Sequence, residues 1–246
     1  MDLESPVIVR NIVNGDEPAQ RGSIQLAAGL GGGFMRIRNG DGAETGFLGA
    51  LFLGAVLALG GELFDGNVLL KNGAGDETIA LRGGTRRIEL KDRAGDLSVV
   101  LDGEAGDLRL LGADAAEDFD VVDGDVAPGT VMVIGDGGRL RTSSEPYDRL
   151  VAGVVSGAGD FRPGLVLGRS DAPGTRRPLA LAGKVCVAAD ATGDPIAVGD
   201  LLTTSTTPGH AMRAADARRA FGAVLGKALA PLDAGRGLIP ALVALQ

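Results

Sequence analysis

An internal repeat of 20 residues limits the architectures open to the first half of this sequence. Residues 71–90 (KNGAGDETIALRGGTRRIEL) align with residues 91–110 (KDRAGDLSVVLDGEAGDLRL) at seven identical positions. A third, more divergent copy begins at Arg38 with RNGDGAETGFL. A period of about 20 residues indicates stacked supersecondary units rather than independent domains.

Each repeat unit is expected to form two short strands joined by tight turns. Residues 39–42 (NGDG) and 72–75 (NGAG) supply the glycines that hairpin turns require. Residues 78–81, 87–90 and 98–101 have the length and β-branched content of strands. One such unit cannot bury its apolar side chains alone. We therefore predict a stalk of stacked repeats, a β-solenoid or β-prism over residues 1–112, and we expect a homotrimer.

The composition favours an all-β protein with many turns. Glycine accounts for 41 of the 246 residues, while 45% of the chain is hydrophobic, too much for a disordered glycine-rich linker. Aromatic residues make up 3%, which counts against sites that stack bases or sugars. The net charge of −8 disfavours a nucleic-acid surface and an electrostatic membrane anchor.

Other sequence features predict a protein without a membrane span or a cofactor. The longest uncharged run, residues 45–61, has 17 residues, and a spanning helix needs about 20. The acidic start, MDLESPVIVR, lacks the features of a signal peptide, so we expect synthesis in the cytoplasm. The single cysteine, Cys186, excludes an internal disulfide and a cysteine-based metal cluster. We predict no cofactor.

Beyond the repeat, residues 113–246 are expected to form a second β domain. Residues 130–134 and 139–142, separated by GDGG, predict a hairpin. Further predicted strands are residues 150–155, 164–167, 179–188, 200–204, 220–230 and 237–245. The alanine-rich segment 214–229 also has the composition of a helix, but Gly222 and Gly226 disfavour that interpretation, and we predict a strand.

An ordered series of motifs in this second domain resembles a known family. AGKV at 182–185 is followed by PIAVGDLLTTS at 195–205, PGHAM at 208–212, LGKAL at 225–229 and GLIPALV at 237–243. Residues 118–246 resemble the C-terminal β domain of bacteriophage tail-fibre and neck-appendage proteins, similar to the peptidase G2 (intramolecular chaperone) family. The residues that carry the resemblance are Gly199, Asp200, Leu201, Ser205, Pro208, Gly209, Gly226 and Lys227. The resemblance implies a domain that ends a fibre and assists trimer assembly.

Some members of that family cleave themselves, so a self-cleaving enzyme is one hypothesis. Ser205 lies in a run of hydroxyl residues, with His210 and Lys227 downstream as candidate bases. The alternative is a threonine-rich strand end whose hydroxyls cap a turn. We favour the second interpretation and predict no enzymatic activity.

An acidic segment before the hairpin has two interpretations. Hard cations such as Ca²⁺ bind clustered carboxylates, and five acidic side chains lie close together in sequence. They are Glu117, Asp118, Asp120, Asp123 and Asp125. Their spacing does not follow a dedicated calcium loop, so a solvated acidic junction without metal is favoured.

The sequence as a whole predicts a structural protein. We expect a fibre, spike or appendage component of a phage or phage-like particle, with a repeat stalk and a C-terminal assembly or attachment domain. Its N-terminus would dock onto other particle or baseplate proteins. The alternatives are the self-cleaving chaperone domain and a module that binds a cell-surface glycan.

Overall fold

The computed structural model describes residues 7–10, 23–29, 32–38, 44–51, 54–61, 64–169 and 175–244. Nearly all of their regular structure is β-strand, which confirms the all-β prediction. The chain divides into two compact units, Met1–Leu110 and Leu111–Gln246. The turn NGDG of the third repeat copy lies outside the described residues.

The first unit contains two antiparallel meanders, in which each strand pairs with the next one along the chain. The first comprises β1 (Val7–Arg10), β2 (Ser23–Gly29), β3 (Gly32–Arg38), β4 (Glu44–Leu51), β5 (Gly54–Gly61) and β6 (Phe64–Asp65). The second comprises β7 (Asn67–Lys71), β8 (Glu77–Arg82), β9 (Arg87–Lys91), β10 (Leu97–Asp102) and β11 (Asp107–Leu110).

This topology differs from the predicted β-solenoid within one chain. Turns of four or five residues separate the strands of the second meander, and each turn brings the chain back beside the strand that it has just left. Such reversals produce antiparallel neighbours, whereas the coils of a solenoid place strands in parallel. A repeat period of 20 residues is common to both arrangements, so the period alone did not distinguish them.

The two well-matched repeat copies form the same turn 20 residues apart. The side-chain Oδ1 of Asn72 accepts hydrogen bonds from the backbone N–H groups of Ala74 (2.9 Å) and Asp76 (3.0 Å). Asp92 accepts equivalent bonds from Ala94 (2.9 Å) and Asp96 (3.0 Å). Gly75 and Gly95 both have a φ of +92°, a conformation that favours glycine. The side-chain oxygen thus fixes where each hairpin reverses.

The described part of the second unit is a ten-stranded sheet with one short α-helix and one 3₁₀ turn, Asp136–Gly138. Its strands are β12 (Asp114–Asp120), β13 (Val131–Ile134), β14 (Leu140–Thr142), β15 (Val151–Val155), β16 (Pro163–Leu167), β17 (Arg176–Asp190), β18 (Leu201–Thr204), β19 (Ala211–Arg213), β20 (Val224–Ala228) and β21 (Arg236–Ala244). The helix α1 spans Ala217–Ala220. Five strands form a closed ring in the order β17, β19, β18, β20 and β21, because β21 pairs again with β17.

Two apolar clusters fill this unit. One lies among the ring strands and includes Val185, Val187, Leu202, Leu225 and Ile239. The other joins β13, β14 and β15 to the middle of the unit and comprises Val121, Val126, Met132, Leu140, Val155 and Leu179. The second unit therefore buries a core of its own.

The predicted strands of this unit are largely confirmed, with two omissions and one error. The hairpin at 130–142 is present as β13 and β14. Strands β19 and β12 were not predicted from the sequence, and the acidic composition of β12 is unusual for a strand. Asp216 caps the start of α1 by accepting hydrogen bonds from Arg218 N and Arg219 N. Residues 220–223 are not strand, because α1 ends at Ala220 and a turn follows in which Ala223 N donates to the carbonyl oxygen of Ala220 (2.9 Å). The strand prediction is correct for 224–228.

Candidate functional site

The three candidate residues for self-cleavage do not come together in the structure. Ser205 is 3% exposed, and its Oγ accepts a hydrogen bond from the backbone N–H of Thr207 (3.1 Å). The ring Nδ1 of His210 lies 2.8 Å from the carbonyl oxygen of Pro208, in its own loop. Lys227 is exposed on β20 and pairs with Leu201, at the opposite end of β18 from Ser205. Among the described residues, neither candidate base is hydrogen-bonded to the Ser205 hydroxyl.

The hydroxyl residues around Ser205 instead hold loops in place. Thr203 Oγ1 donates to the carbonyl oxygen of Ala223 (2.7 Å), and Thr204 Oγ1 accepts from the backbone N–H of Asp148 (2.8 Å). A cavity of about 160 Å³ beside Ser205 is lined by Asp190, Thr192, Gly193, Asp194, Ser205, Thr206, Met212 and Arg213. Neither His210 nor Lys227 lines it, so the geometry favours the structural interpretation of the threonine run.

Asp190 lies at the centre of this arrangement, and its role was not predicted from the sequence. Its Oδ1 accepts hydrogen bonds from the side chain of Thr192 (2.6 Å) and from its backbone N–H (2.9 Å). Its other oxygen accepts from Thr207 and lies 3.4 Å from Arg236 Nε. The hydroxyl bonds from Thr192 and Thr207 hold the pKa of this carboxyl well below its usual range. Asp190 therefore ties three segments together as an ionised group.

Four of the eight residues that carry the family resemblance occupy turns or close approaches. Gly199 has a φ of +89° and donates its N–H to the carbonyl oxygen of Ala228 (2.8 Å). Asp200 accepts a hydrogen bond from Ala197 N (2.8 Å) and closes that turn. A Cβ atom at Gly209 would stand 2.8 Å from Thr130 Cγ2, and one at Gly226 would collide with the carbonyl oxygen of Leu242. In this chain these four motif residues fix turns and close backbone contacts.

The acidic segment 117–125 does not converge on one point. Alternate residues of β12 point to opposite faces, so Glu117 and Asp118 diverge. Asp125 forms an ion pair with Arg177, and Asp123 accepts a hydrogen bond from the backbone N–H of Thr142. Within the described residues, no group of three or more His, Cys, Asp or Glu side chains is placed to hold a metal ion. The calcium interpretation gains no support from this geometry.

One face of the second meander carries only aliphatic side chains. The pairing of neighbouring strands aligns two rows of five residues across the sheet. Both rows lie on the same side of the sheet, because alternate residues of a strand share a face. One row is Val68, Leu81, Ile88, Leu101 and Leu108, and the other is Leu70, Ile79, Leu90, Val99 and Leu110. None of the ten is buried, and we call this surface the aliphatic face.

The opposite side, the charged face, carries a network of ion pairs. Arg82 pairs with Glu89 (2.6 Å) and with Glu77. Asp102 accepts from Arg87 (2.7 Å) and Arg109 (2.6 Å) across neighbouring strands. A backbone hydrogen bond from Ala105, followed by the bond from Arg87, lowers the pKa of Asp102. The long charged side chains cover this face, whereas the aliphatic face has no such cover.

Comparisons with protein-family models, curated proteins and solved structures found no match to this chain. In the described part of the chain, no helix is both long enough and apolar enough to cross a membrane. The aliphatic face is the candidate interaction surface of the described second meander, and its two-row pattern can be read from the sequence only once the strand register is known.

Proposed function

We propose that this chain is a structural fibre, spike or appendage component of a phage or phage-like particle. The first unit would act as a stalk that joins three copies of the chain. The second unit would serve as an assembly or attachment module. The aliphatic face supports this proposal, because a single sheet with an apolar face open to water needs a second layer.

Burial of apolar surface favours association of several chains through this face. Completing the burial of a half-exposed aliphatic side chain contributes about 1 kcal/mol, so ten such residues contribute about 10 kcal/mol for each chain. Three flat sheets arranged as a β-prism would cover all three aliphatic faces around one axis and leave the charged faces in water. The ion pairs of Arg82, Arg87 and Asp102 would then lie on the outside of the stalk.

The rest of the proposal is supported by the motif series in the second unit. Its similarity to tail-fibre and neck-appendage domains suggests that the particle is viral or phage-like, and that the finished protein acts outside the cell. The N-terminal segment would dock onto neighbouring particle proteins. The arrangement of Ser205, His210 and Lys227 offers no observation that favours the self-cleaving alternative.

Two equally exposed leucines on opposite faces provide a matched test. Leu101 on the aliphatic face is 44% exposed, and Leu69 on the charged face is 43% exposed. We expect wild type and Leu69→Lys to sediment as trimers in analytical ultracentrifugation. Leu101→Lys would place an unpaired ammonium in the interface and dissociate the trimer, weakening assembly more than about a hundredfold.

Two results would contradict the proposal. A wild-type monomer at micromolar concentration would remove its main support. Equal behaviour of Leu101→Lys and Leu69→Lys would show that the aliphatic face is not the interface. Circular dichroism of each variant would check that the strands are retained.

A further inference from the structure

A cluster of arginine and aromatic residues lies on the surface of the second unit, beside α1. It comprises Tyr147, Arg149, Arg218, Arg219 and Phe221, and we call it the arginine–aromatic patch. Phe221 is 83% exposed, the highest exposure among the large hydrophobic residues of the described chain. A ring this exposed is accessible to a molecule that binds the surface.

Several contacts join the Tyr147 loop to α1 within the patch. The Arg219 guanidinium stacks 4.3 Å from the centre of the Tyr147 ring, and its Nη2 donates to the carbonyl oxygen of Pro146 (3.0 Å). The Tyr147 hydroxyl accepts a hydrogen bond from the backbone N–H of Asp216 (2.9 Å). Arg149 lies close to the end of α1, because its Cγ is 4.0 Å from the position that a Cβ atom at Gly222 would occupy. Two loops distant in sequence thus form one surface.

Tyr147 is also under backbone strain. Its φ of +61° is rare for a residue other than glycine, and Arg86 is the other such case among the described residues. The backbone N–H of Tyr147 donates to the carbonyl oxygen of Thr204 (3.2 Å), and this bond together with the ring contacts maintains the conformation. Strain of this kind persists where surrounding contacts fix it, and it is concentrated at functional sites.

The charge of the patch contrasts with that of the whole chain. The protein has a net charge of −8, yet Arg149, Arg218 and Arg219 are exposed. Within the described residues, none of the three has a carboxylate at ion-pair distance, because Asp216 caps α1 and Asp148 lies 3.6 Å from Arg141. These three exposed guanidinium groups, which lack a carboxylate at ion-pair distance, can each donate hydrogen bonds to an anion from outside the chain.

We propose that the arginine–aromatic patch binds an acidic polysaccharide, that is, a glycan whose sugars carry carboxylates. A guanidinium group matches a carboxylate with two parallel hydrogen bonds. The exposed ring of Phe221 offers a flat apolar surface on which the carbon face of a sugar ring can stack. The overall negative charge disfavours nucleic acid, which needs a longer basic track. This inference rests on the proposed role of the second unit in attachment.

The proposal is tested by binding of the full-length chain to three immobilised polymers in biolayer interferometry. Alginate supplies carboxylates on sugars, polyglutamate supplies carboxylates without sugars, and dextran supplies sugars without charge. We expect binding to alginate at low salt, weaker binding to polyglutamate, and none to dextran. Phe221→Ser and Arg218→Gln should each weaken alginate binding about tenfold.

Matched controls use exposed residues outside the patch. Val198→Ser controls for loss of an exposed apolar group, and Arg139→Gln for loss of an exposed cation. Both should bind alginate as wild type does. The proposal is overturned if alginate does not bind, if the controls weaken binding as much as the patch variants, or if polyglutamate binds as tightly as alginate. Sedimentation of the same samples separates failure of this site from failure of the trimer.

Discussion

At the scale of single residues, burial disfavours the ionised form of the Asp114 carboxyl. It is 6% exposed at the start of β12. Its Oδ1 accepts a hydrogen bond from Ser156 Oγ (2.9 Å), and its Oδ2 has no hydrogen-bond partner in the described structure. Burial raises the pKa of this carboxyl above its usual value of 3.8, and the Ser156 bond opposes that shift only in part.

This pKa shift predicts how Asp114→Asn changes the pH dependence of stability. Because the folded chain retains the proton at pH values where the unfolded chain has lost it, wild-type stability falls as pH rises from 3.8 through the raised folded pKa. Asparagine does not ionise, so the variant avoids that loss. We expect its free energy of unfolding to exceed that of wild type by about 1–3 kcal/mol at neutral pH.

Urea unfolding across the acidic range measures this difference directly. The advantage of Asp114→Asn should shrink as pH falls below the usual carboxyl pKa, because the wild-type carboxyl is then neutral in both states. The exposed Asp160→Asn serves as the control and should show no such trend. A stability difference for Asp114→Asn that is independent of pH would contradict the assignment.

At the scale of elements, the turns along one edge of the second meander pack against each other. Gly83 donates its N–H to the carbonyl oxygen of Gly66, and Gly103 donates to that of Arg86, both at 2.9 Å. A Cβ atom at Gly103 would stand 2.8 Å from the same Arg86 oxygen. Glycine is therefore required here by the neighbouring backbone.

This close approach predicts opposite effects for two glycine substitutions in the same sheet. Gly103→Ala forces Arg86 and its turn apart and should destabilise the chain by about 1–3 kcal/mol. Gly73 lies in a turn at the other edge, with no atom within 4 Å of a Cβ and no positive φ. Gly73→Ala should be neutral, or stabilising by about 0.5 kcal/mol. Thermal unfolding of the pair tests this, and equal shifts in Tm would refute it.

The same elements show what could be predicted from the sequence. The glycine turns and short strands of the second meander were predicted, because turn residues and strand length are encoded locally. Whether those strands coil or reverse depends on pairing, and the repeat period is the same for both. The acidic strand β12 was missed because its pairing with β16 and β17, rather than local propensity, makes it a strand.

The candidate site was harder to predict than the fold. Ser205 and His210 are neighbours in sequence, but their side chains bond within their own loop. Tyr147 and Arg219, which do meet, are separated in sequence by about half of the second unit. Sites formed by long-range pairing leave no local signal, and the same holds for the two rows of the aliphatic face.

At the scale of the whole molecule, the two units bury apolar surface in different ways. The second unit closes a ring of five strands and encloses Leu202, Leu225 and Ile239. The second meander of the first unit leaves ten aliphatic residues half-exposed or exposed on one face. A closed ring protects the hydrogen-bonding edges of its own strands, whereas an open sheet with an apolar face depends on a partner.

Separate expression of residues 111–246 and 1–110 tests this difference. The 111–246 fragment should unfold cooperatively with heat, because its two apolar clusters lie within it. The 1–110 fragment should form trimers or precipitate, because water in contact with the aliphatic face favours association. Light scattering distinguishes these outcomes. A folded, monomeric 1–110 fragment at micromolar concentration would show that the aliphatic face needs no partner. In that case the substitution Leu101→Lys would leave the solubility of the fragment unchanged.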